Sequence, residues 1–392
     1  MKDCNSKDWN SKDWNSVGDE EFRTEVRDFF QSNYPQELRY PPRRLRWHES
    51  KPWYLSLASK GWAAPNWPQE HGGMGLSPAK LLIFIEEQER WGVARSPDMG
   101  VLMVGPVLIK HGTEDQRKRF LGPILAGEDI WCQGYSEPNA GSDLASLRTK
   151  AVLDGDRFIV NGQKIWTTLA HDATHMFALV RTDPAARKQK GISFLLIDIR
   201  QPGVTVRTIT NIAGHEEFCE VFLDNVEVPV SNLVGELNNG WTIAKALLGF
   251  ERIFLGSPKL AQYALRQLEA LAIATNASSD ARFLDRFTQL RLDVADLATI
   301  YQRFADTVIR GETLGPDVSL LKIWITETFQ RITDLMIETG AEKSVLVGSD
   351  AFGQEGLDVL SVYYNARPAT IYGGSNEIQR NVLAKSVLHL PG

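Results

Sequence analysis

The hydrophobic period of this chain changes twice, and that switch limits it to folds carrying a β domain between two helical ones. From about Glu20 to Asp129 apolar residues recur at helical spacing, as in Phe22, Val26, Phe29 and Phe30 and in Leu81, Leu82 and Ile85, which predicts amphipathic helices. Ser77-Pro78 supplies a helix start, and Trp67-Pro68 and His71-Gly72-Gly73 read as turns. From about Trp131 to Val234 the pattern shortens to β-rich runs, among them Phe177–Val180, Ile192–Ile197 and Glu220–Leu223. Asp154-Gly155 and Asn161-Gly162 lie between apolar runs and predict two hairpin turns. Beyond Gly240 long helical stretches return as far as Leu388, the pattern of a four-helix bundle.

The expected fold class is multi-domain α+β. Its parts are an N-terminal helical domain (20–129), a central β-barrel-like domain (130–236) and a C-terminal helical bundle (237–392). Residues 1–19 are polar, repeat Asn-Ser-Lys-Asp-Trp twice, and are expected to form a disordered leader.

Charge and cysteine content exclude several function classes. The net charge of −6 leaves no basic footprint for nucleic acid, and Arg43-Arg44-Leu45-Arg46 reads as a solvated face. No apolar run approaches a membrane span. Cys4, Cys132 and Cys219 are odd in number and form no C-x-x-C pair, which points to a reducing, cytoplasmic setting without a thiolate metal site. His171 and His175 stand four apart in a turn-rich β region without a carboxylate set, so no metal is expected. A G-x-G-x-x-G, a Walker A loop and a G-x-S-x-G elbow are all missing.

Three segments carry the chemistry. Trp131–Thr149 gathers hydroxyls, small residues and an aromatic into one loop, in which Asn139 and Gly141 permit tight backbone and Ser136 and Ser142 can hydrogen-bond a planar ligand. On chemistry alone a well-capped turn entering a β domain explains it equally well. This loop resembles the flavin loop of the acyl-CoA dehydrogenase family. Asn161-Gly-Gln-Lys-Ile-Trp-Thr-Thr168 and Tyr372-Gly-Gly-Ser-Asn-Glu-Ile-Gln-Arg380 resemble two further signatures of that family. The likeness runs from about Phe22 to the C-terminus, through Gly61-Trp-Ala-Ala-Pro65 and Phe120-Leu-Gly-Pro-Ile-Leu125.

The resemblance implies an enzyme with FAD held between the β domain and the bundle, oxidising an acyl-CoA to its 2,3-enoyl form and passing electrons to an electron-transfer flavoprotein. It assigns cofactor contacts to Gln133, Tyr135, Ser136, Gly141, Ser142, Trp166, Thr167 and Thr168, and to Gly374, Ser375, Asn376 and Glu377 on the bundle side. Substrate contacts fall on Ser142, Phe250, Arg252 and Gly373. Without the resemblance Trp166 reads as a core aromatic on a strand.

Taking the proton beside a thioester carbonyl needs a carboxylate whose pKa burial raises toward neutrality. In many members of the family it follows the tyrosine of the C-terminal signature, where this chain has Gly373. The family's second placement, on the first bundle helix before an arginine, is matched by Glu251-Arg252. At helical spacing Glu251 has Leu247, Leu248, Phe254 and Leu255 as neighbours, a costly face for an unpaired carboxylate and so a sign of function. The competing reading is a structural ion pair.

A second departure lies at Asp280-Ala-Arg-Phe-Leu-Asp-Arg286, which lacks the glycine of the family's Arg-x-x-Phe-Gly contact to a neighbouring subunit's FAD. Family lineages with this loss include homotetramers and heterotetramers of paralogous subunits. Two rival readings remain: a flavin monooxygenase or oxidase on the same fold, and a non-catalytic partner subunit. Glu251 argues against the first, and the joint presence of flavin loop, Trp166 and Glu251 against the second.

Overall fold

A computed structural model of the chain describes residues 12–41, 43–94, 99–245, 256–347, 352 and 357–391. The chain divides into two compact units, Met1–Leu247 and Leu248–Gly392.

The first unit opens with helices α1 (Asp19–Asn33), α2 (Trp47–Ser59), α3 (Pro78–Trp91), α4 (Gly105–His111) and α5 (Glu114–Leu125). The predicted stripe on α1 is the buried one: Phe22, Val26 and Phe30 are fully enclosed. Ser77 caps α3 by accepting the Lys80 amide, and Gly92 ends it in the left-handed region at φ 73°. Glu87, with its side chain 1% exposed, takes charged hydrogen bonds from Arg23 and Arg27 at 2.9–3.1 Å and so ties α3 to α1.

Two expectations for this region fail. The leader is not disordered where it is described, because Trp14 is buried and packs on Phe22 and Trp62 at 5.6 and 5.5 Å. An aromatic payload of that size outweighs the polar residues around it. Nor is the arginine cluster a solvated face. Arg43 forks onto Glu49, and Arg46 forks onto Asp172 at 2.6 and 2.8 Å while Asp172 also accepts the Trp47 amide. These bonds pin the start of α2 to the β region.

The β region is an eight-stranded sheet: β1 (Trp131–Gly134), β2 (Lys150–Asp154), β3 (Arg157–Thr168), β4 (His175–Arg181), β5 (Ile192–Asp198), β6 (Val204–Ile209), β7 (Phe218–Pro229) and β8 (Leu233–Val234). The strands run in the order β6-β7-β3-β2-β4-β5-β8, and β1 pairs with β4. Phe177–Val180 and Ile192–Ile197 are buried on both faces, as their unbroken apolar runs require.

Asp154-Gly155 makes the predicted β2–β3 turn, with Gly155 at φ 62°. Asn161-Gly162 does not turn the chain. It lies inside β3 at a register shift against β7, where Asn161 accepts the Asn225 amide at 2.8 Å. A Cβ on Gly162 would stand 2.5 Å from Thr149 Oγ1, so this glycine serves the close approach of β3 to the residue that leads into β2.

The second unit is helical: α6 (Lys259–Ala274), α7 (Ala281–Ile309), α8 (Ser319–Gly340), α9 (Val359–Ala366) and α10 (Asn376–Ser386). Helix α8 packs against the other four, and its Leu321, Ile325, Phe329, Ile332 and Met336 are all buried. Asp280 caps α7 by accepting the Arg282 amide; Phe283 stacks on Phe287 at 5.5 Å, and Arg286 pairs with Glu338. No helix among the described residues is long and apolar enough to cross a membrane.

Candidate active site

In the first unit the site grows from one irregular strand. Strand alternation would put Trp166 on the same side as Lys164, facing in. A second register shift, between Lys164 and Thr167, inserts an extra residue into β3. Lys164 and Thr167 are therefore both buried, while Trp166 is turned out and 58% exposed at φ 59°. Leaving a tryptophan ring in water and holding a non-glycine residue in the left-handed region each cost free energy, the second about 1–2 kcal/mol. Reading Trp166 as a core aromatic is thereby excluded. Its one ring neighbour among the described residues is Phe218, edge-on at 6.0 Å.

The loop after β1 is held against this bulge. The Ser136 carbonyl accepts the Ile165 amide at 3.0 Å, next to Trp166. Ser136 and Thr168 are half-buried, and Gly141 and Ser142 are exposed. Tyr135 instead sends its ring into the core, edge-on to Phe177 and Phe194 at 5.7 and 6.4 Å. Gln133 is half-buried, with its amide 4.0 Å from the Met103 sulfur. Met103 belongs to a π-helical turn, Met99–Val104, a wide turn often found at functional sites. The Thr167 hydroxyl is buried without a partner among the described residues.

Beneath the loop lies an ion pair whose pairing the sequence does not announce. Lys164, fully enclosed, donates to Glu137 at 2.8 Å and to the carbonyls of Leu179 and Tyr135 at 2.7 and 3.3 Å. Glu137 also accepts the amides of Arg148 and Thr149 at 2.6 and 2.8 Å. Burial pushes the Glu137 carboxyl up, but Lys164 and these amides outweigh it and hold it below the usual carboxylate range. Burial pulls Lys164 down from the usual lysine value, against the opposing charge of Glu137. The one hint in the sequence is a lone lysine in an otherwise β-forming run.

In the second unit the C-terminal signature forms a tight turn into α10. Gly373 and Gly374 have φ of 65° and 82°, and Ser375 caps the helix by accepting the Ile378 amide at 3.4 Å. Tyr372, Gly373, Gly374 and Glu377 are exposed, leaving a helix start open to an anionic or carbonyl oxygen. Asn376 faces the other way. It is buried and accepts from Lys322 at 2.9 Å while donating to Glu327 at 3.1 Å. Burial pulls the Lys322 ammonium down to about 8, although Glu377 and Glu327 favour its charge. Phe250, Glu251 and Arg252 lie outside the described residues.

The group in the first unit, taken by itself, suits a flavin: an exposed aromatic face held out by a strained bulge matches the flat ring, and the hydroxyls beside it match its oxygens.

Comparisons with known proteins agree. Models of the acyl-CoA dehydrogenase N-terminal, middle and C-terminal domains match residues 18–128, 132–226 and 238–388. The chain is 37% identical to the acyl-CoA dehydrogenase IpdE1 of Mycobacterium tuberculosis, over 95% of this chain and 98% of that protein. It is 29% identical to the bovine mitochondrial short-chain specific acyl-CoA dehydrogenase, covering 85% of this chain and 81% of that protein. Among solved structures, the Tcur3481-Tcur3483 steroid ACAD superposes with a TM-score of 0.87 at 29% identity, over 98% of this chain and all of that one. The ChsE4-ChsE5 complex from Mycobacterium tuberculosis superposes with a TM-score of 0.82 at 30% identity, over 95% and 98% of the two chains. Three matched domains in order, on a fold with an outward tryptophan beside the flavin-type loop, leave one conclusion: the chain belongs to the acyl-CoA dehydrogenase family, as an enzyme whose cofactor is FAD.

Proposed function

We propose that this acyl-CoA dehydrogenase acts on a bulky, steroid-derived acyl-CoA, with Glu251 as its base. The observation that carries the cofactor half of this reading is the outward Trp166, whose conformation makes physical sense as a cover for a flat ring. The chemistry supplied by bound FAD would be that of a hydride acceptor for the hydrogen on the substrate β carbon. Ser136 and Thr168 would hydrogen-bond the ring, Ser142 would reach cofactor or thioester, and the exposed start of α10 at Gly374, Ser375 and Glu377 would offer N–H groups to cofactor oxygens. Tyr135 and Asn376, with their side chains turned inward, would shape main chain. Gln133 and Thr167 would serve the same pocket from β1 and β3, with Gly141 leaving the loop open.

Glu251 would accept the α proton, Arg252 and Phe250 would orient base and acyl chain, and the Gly373 amide would donate to the thioester carbonyl as charge develops there. The steroid reading leans on the likeness to a steroid ACAD, and that likeness is to the fold and family. The degenerate subunit-contact motif at Asp280–Arg286 fits either a homotetramer or assembly with a paralogous subunit, and the likeness to the ChsE4-ChsE5 complex supports the second; a homotetramer or dimer is the other form. Electron-transfer flavoprotein is the proposed acceptor, and the cytoplasm, judged from cysteine use, the proposed site of action.

The test is a panel of linear, branched, dicarboxylic and steroid-side-chain acyl-CoAs, assayed by flavin bleaching with an artificial electron acceptor. Turnover confined to short linear thioesters would overturn the substrate assignment.

A further inference from the structure

The Lys164–Glu137 pair does more than fill a hole. The three protons of the ammonium are spent on two separate pieces of chain: the Glu137 carboxylate and the Tyr135 carbonyl in the loop after β1, and the Leu179 carbonyl on β4. The carboxylate is as fully used, taking Lys164 and the amides of Arg148 and Thr149. A single carboxylate therefore closes the loop from Glu137 to Thr149, the stretch that holds Gly141 and Ser142. The ammonium sits on the strand residue immediately before Ile165, whose amide binds Ser136, and two before Trp166.

A structural reason alone does not explain this choice. A buried ion pair is often no more stabilising than apolar side chains of similar volume. What it supplies instead is a fixed geometry, because fully satisfied buried networks specify one arrangement. Here the arrangement joins the two strips of chain that the proposed flavin contacts occupy, and it reinforces the backbone bond from Ile165 to Ser136. Arg181 fastens only the far side of the loop, at the Ala145 and Leu147 carbonyls.

We propose that Lys164 and Glu137 are positioning residues for the flavin, locking the Tyr135–Ser142 loop and the Trp166 bulge into one preformed cradle before the cofactor arrives. This inference rests on the reading that Trp166 and Ser136 contact FAD. A preformed cradle lowers the ordering entropy that binding would otherwise cost. Loosening it should weaken flavin binding and blur how the ring is held, while the sheet itself survives.

The experiment uses the full-length holoenzyme with Lys164→Met/Glu137→Gln, which removes both charges, keeps side-chain volume and leaves one carboxamide oxygen that can still accept one of the two loop amides. Three quantities are read: the flavin dissociation constant, the visible circular dichroism of bound flavin, and the thermal midpoint of the apo-protein. Weakening of flavin by tenfold or more, with a reduced flavin dichroism and an apo midpoint close to wild type, is the expected result. Wild-type affinity and dichroism in the double variant would overturn the proposal, and so would an affinity loss matched by collapse of the apo midpoint. Lys164→Met alone, which strands the carboxylate, should be worse for flavin than the double variant; the reverse order also overturns it. Trp166→Ala run alongside separates the two ideas. If that variant binds flavin normally, the cofactor reading itself fails; if it loses flavin while the double variant does not, only the positioning role fails.

Discussion

The carbonyl of Ser136 and the amide of Ile165 are bonded at 3.0 Å, so the loop after β1 and the bulge of β3 move as one piece. The proposed cofactor contacts Ser136 and Trp166 flank that junction.

Trp166 tests it first. Trp166→Ala should weaken flavin binding by about tenfold to a hundredfold, in line with an aromatic contact of roughly 1–3 kcal/mol. The apo thermal midpoint should stay within about 2 °C, because the ring is 58% exposed. Trp166→Gly should bind flavin as poorly, yet raise the apo midpoint slightly, since glycine accepts φ 59° without strain. Fluorescence titration and scanning calorimetry decide both.

Glu251→Gln should slow flavin reduction by acyl-CoA by about 10²–10⁴-fold with little change in ligand affinity. FAD content has to be counted first, since an empty enzyme is inactive for another reason. Adding Gly373→Glu puts a carboxylate at the family's other position, but Gly373 sits at φ 65°. Any side chain there costs roughly 1–2 kcal/mol of backbone strain, so rescue should be partial at best. Normal reduction by Glu251→Gln would move the search to Glu377.

The buried Lys322 sets a pH dependence. Its pKa falls from the ordinary 10.5 to about 8 in the folded chain. Between those values the unfolded chain binds more protons, so this group's contribution to stability rises with pH across that window, and its penalty is full below about 8. Lys322→Met lacks the group, so the stability of wild type relative to the variant should climb from pH 8 to 10 in paired urea titrations. A flat difference would mean that Lys322 titrates normally.

Packing offers a sharper contrast. A Cβ on Gly105 would lie 1.9 Å from the ring of Trp67, which is itself 1% exposed and held through its indole N–H to the Val101 carbonyl at 2.8 Å. Gly105→Ala should cost about 1–3 kcal/mol or prevent folding. Gly122→Ala on α5, where nothing lies within 4 Å, should instead stabilise by up to about 1 kcal/mol. Urea midpoints of the pair give the answer.

How far the sequence reveals the molecule depends on whether a signal is local. The change of period gave the helical, β and helical regions because burial on one face leaves a periodic record. Asp154-Gly155 gave its turn, since the dipeptide alone decides the backbone there. Asn161-Gly162 misled because the same letters also suit a bulge, and only the partner strand at Asn225 tells the two apart. Trp14 misled because a core aromatic inside polar repeats has no periodic neighbours. The chemistry-bearing residues were legible through motifs, yet the direction of Trp166, the inward turn of Tyr135 and Asn376, and the bond from Lys164 to Glu137 all depend on contacts far apart in the chain.

The bulge at Trp166 also makes length a matter of function. Two-residue alternation gives a strand a kind of reading frame, and the extra residue between Lys164 and Thr167 shifts that frame by one. Deleting Ile165 would restore an unbroken ladder with β7 and leave every other letter of the motif in place. Alternation would still turn the tryptophan outward, since it would then follow the inward Lys164 directly, but on regular strand backbone and without the Ile165 amide that binds Ser136. Such a chain would keep the signature to the eye, an outward ring and a more regular sheet, but lose the bond that ties the ring to the loop after β1. In sorting relatives of this enzyme, the count of residues across that stretch therefore carries as much information as their identity.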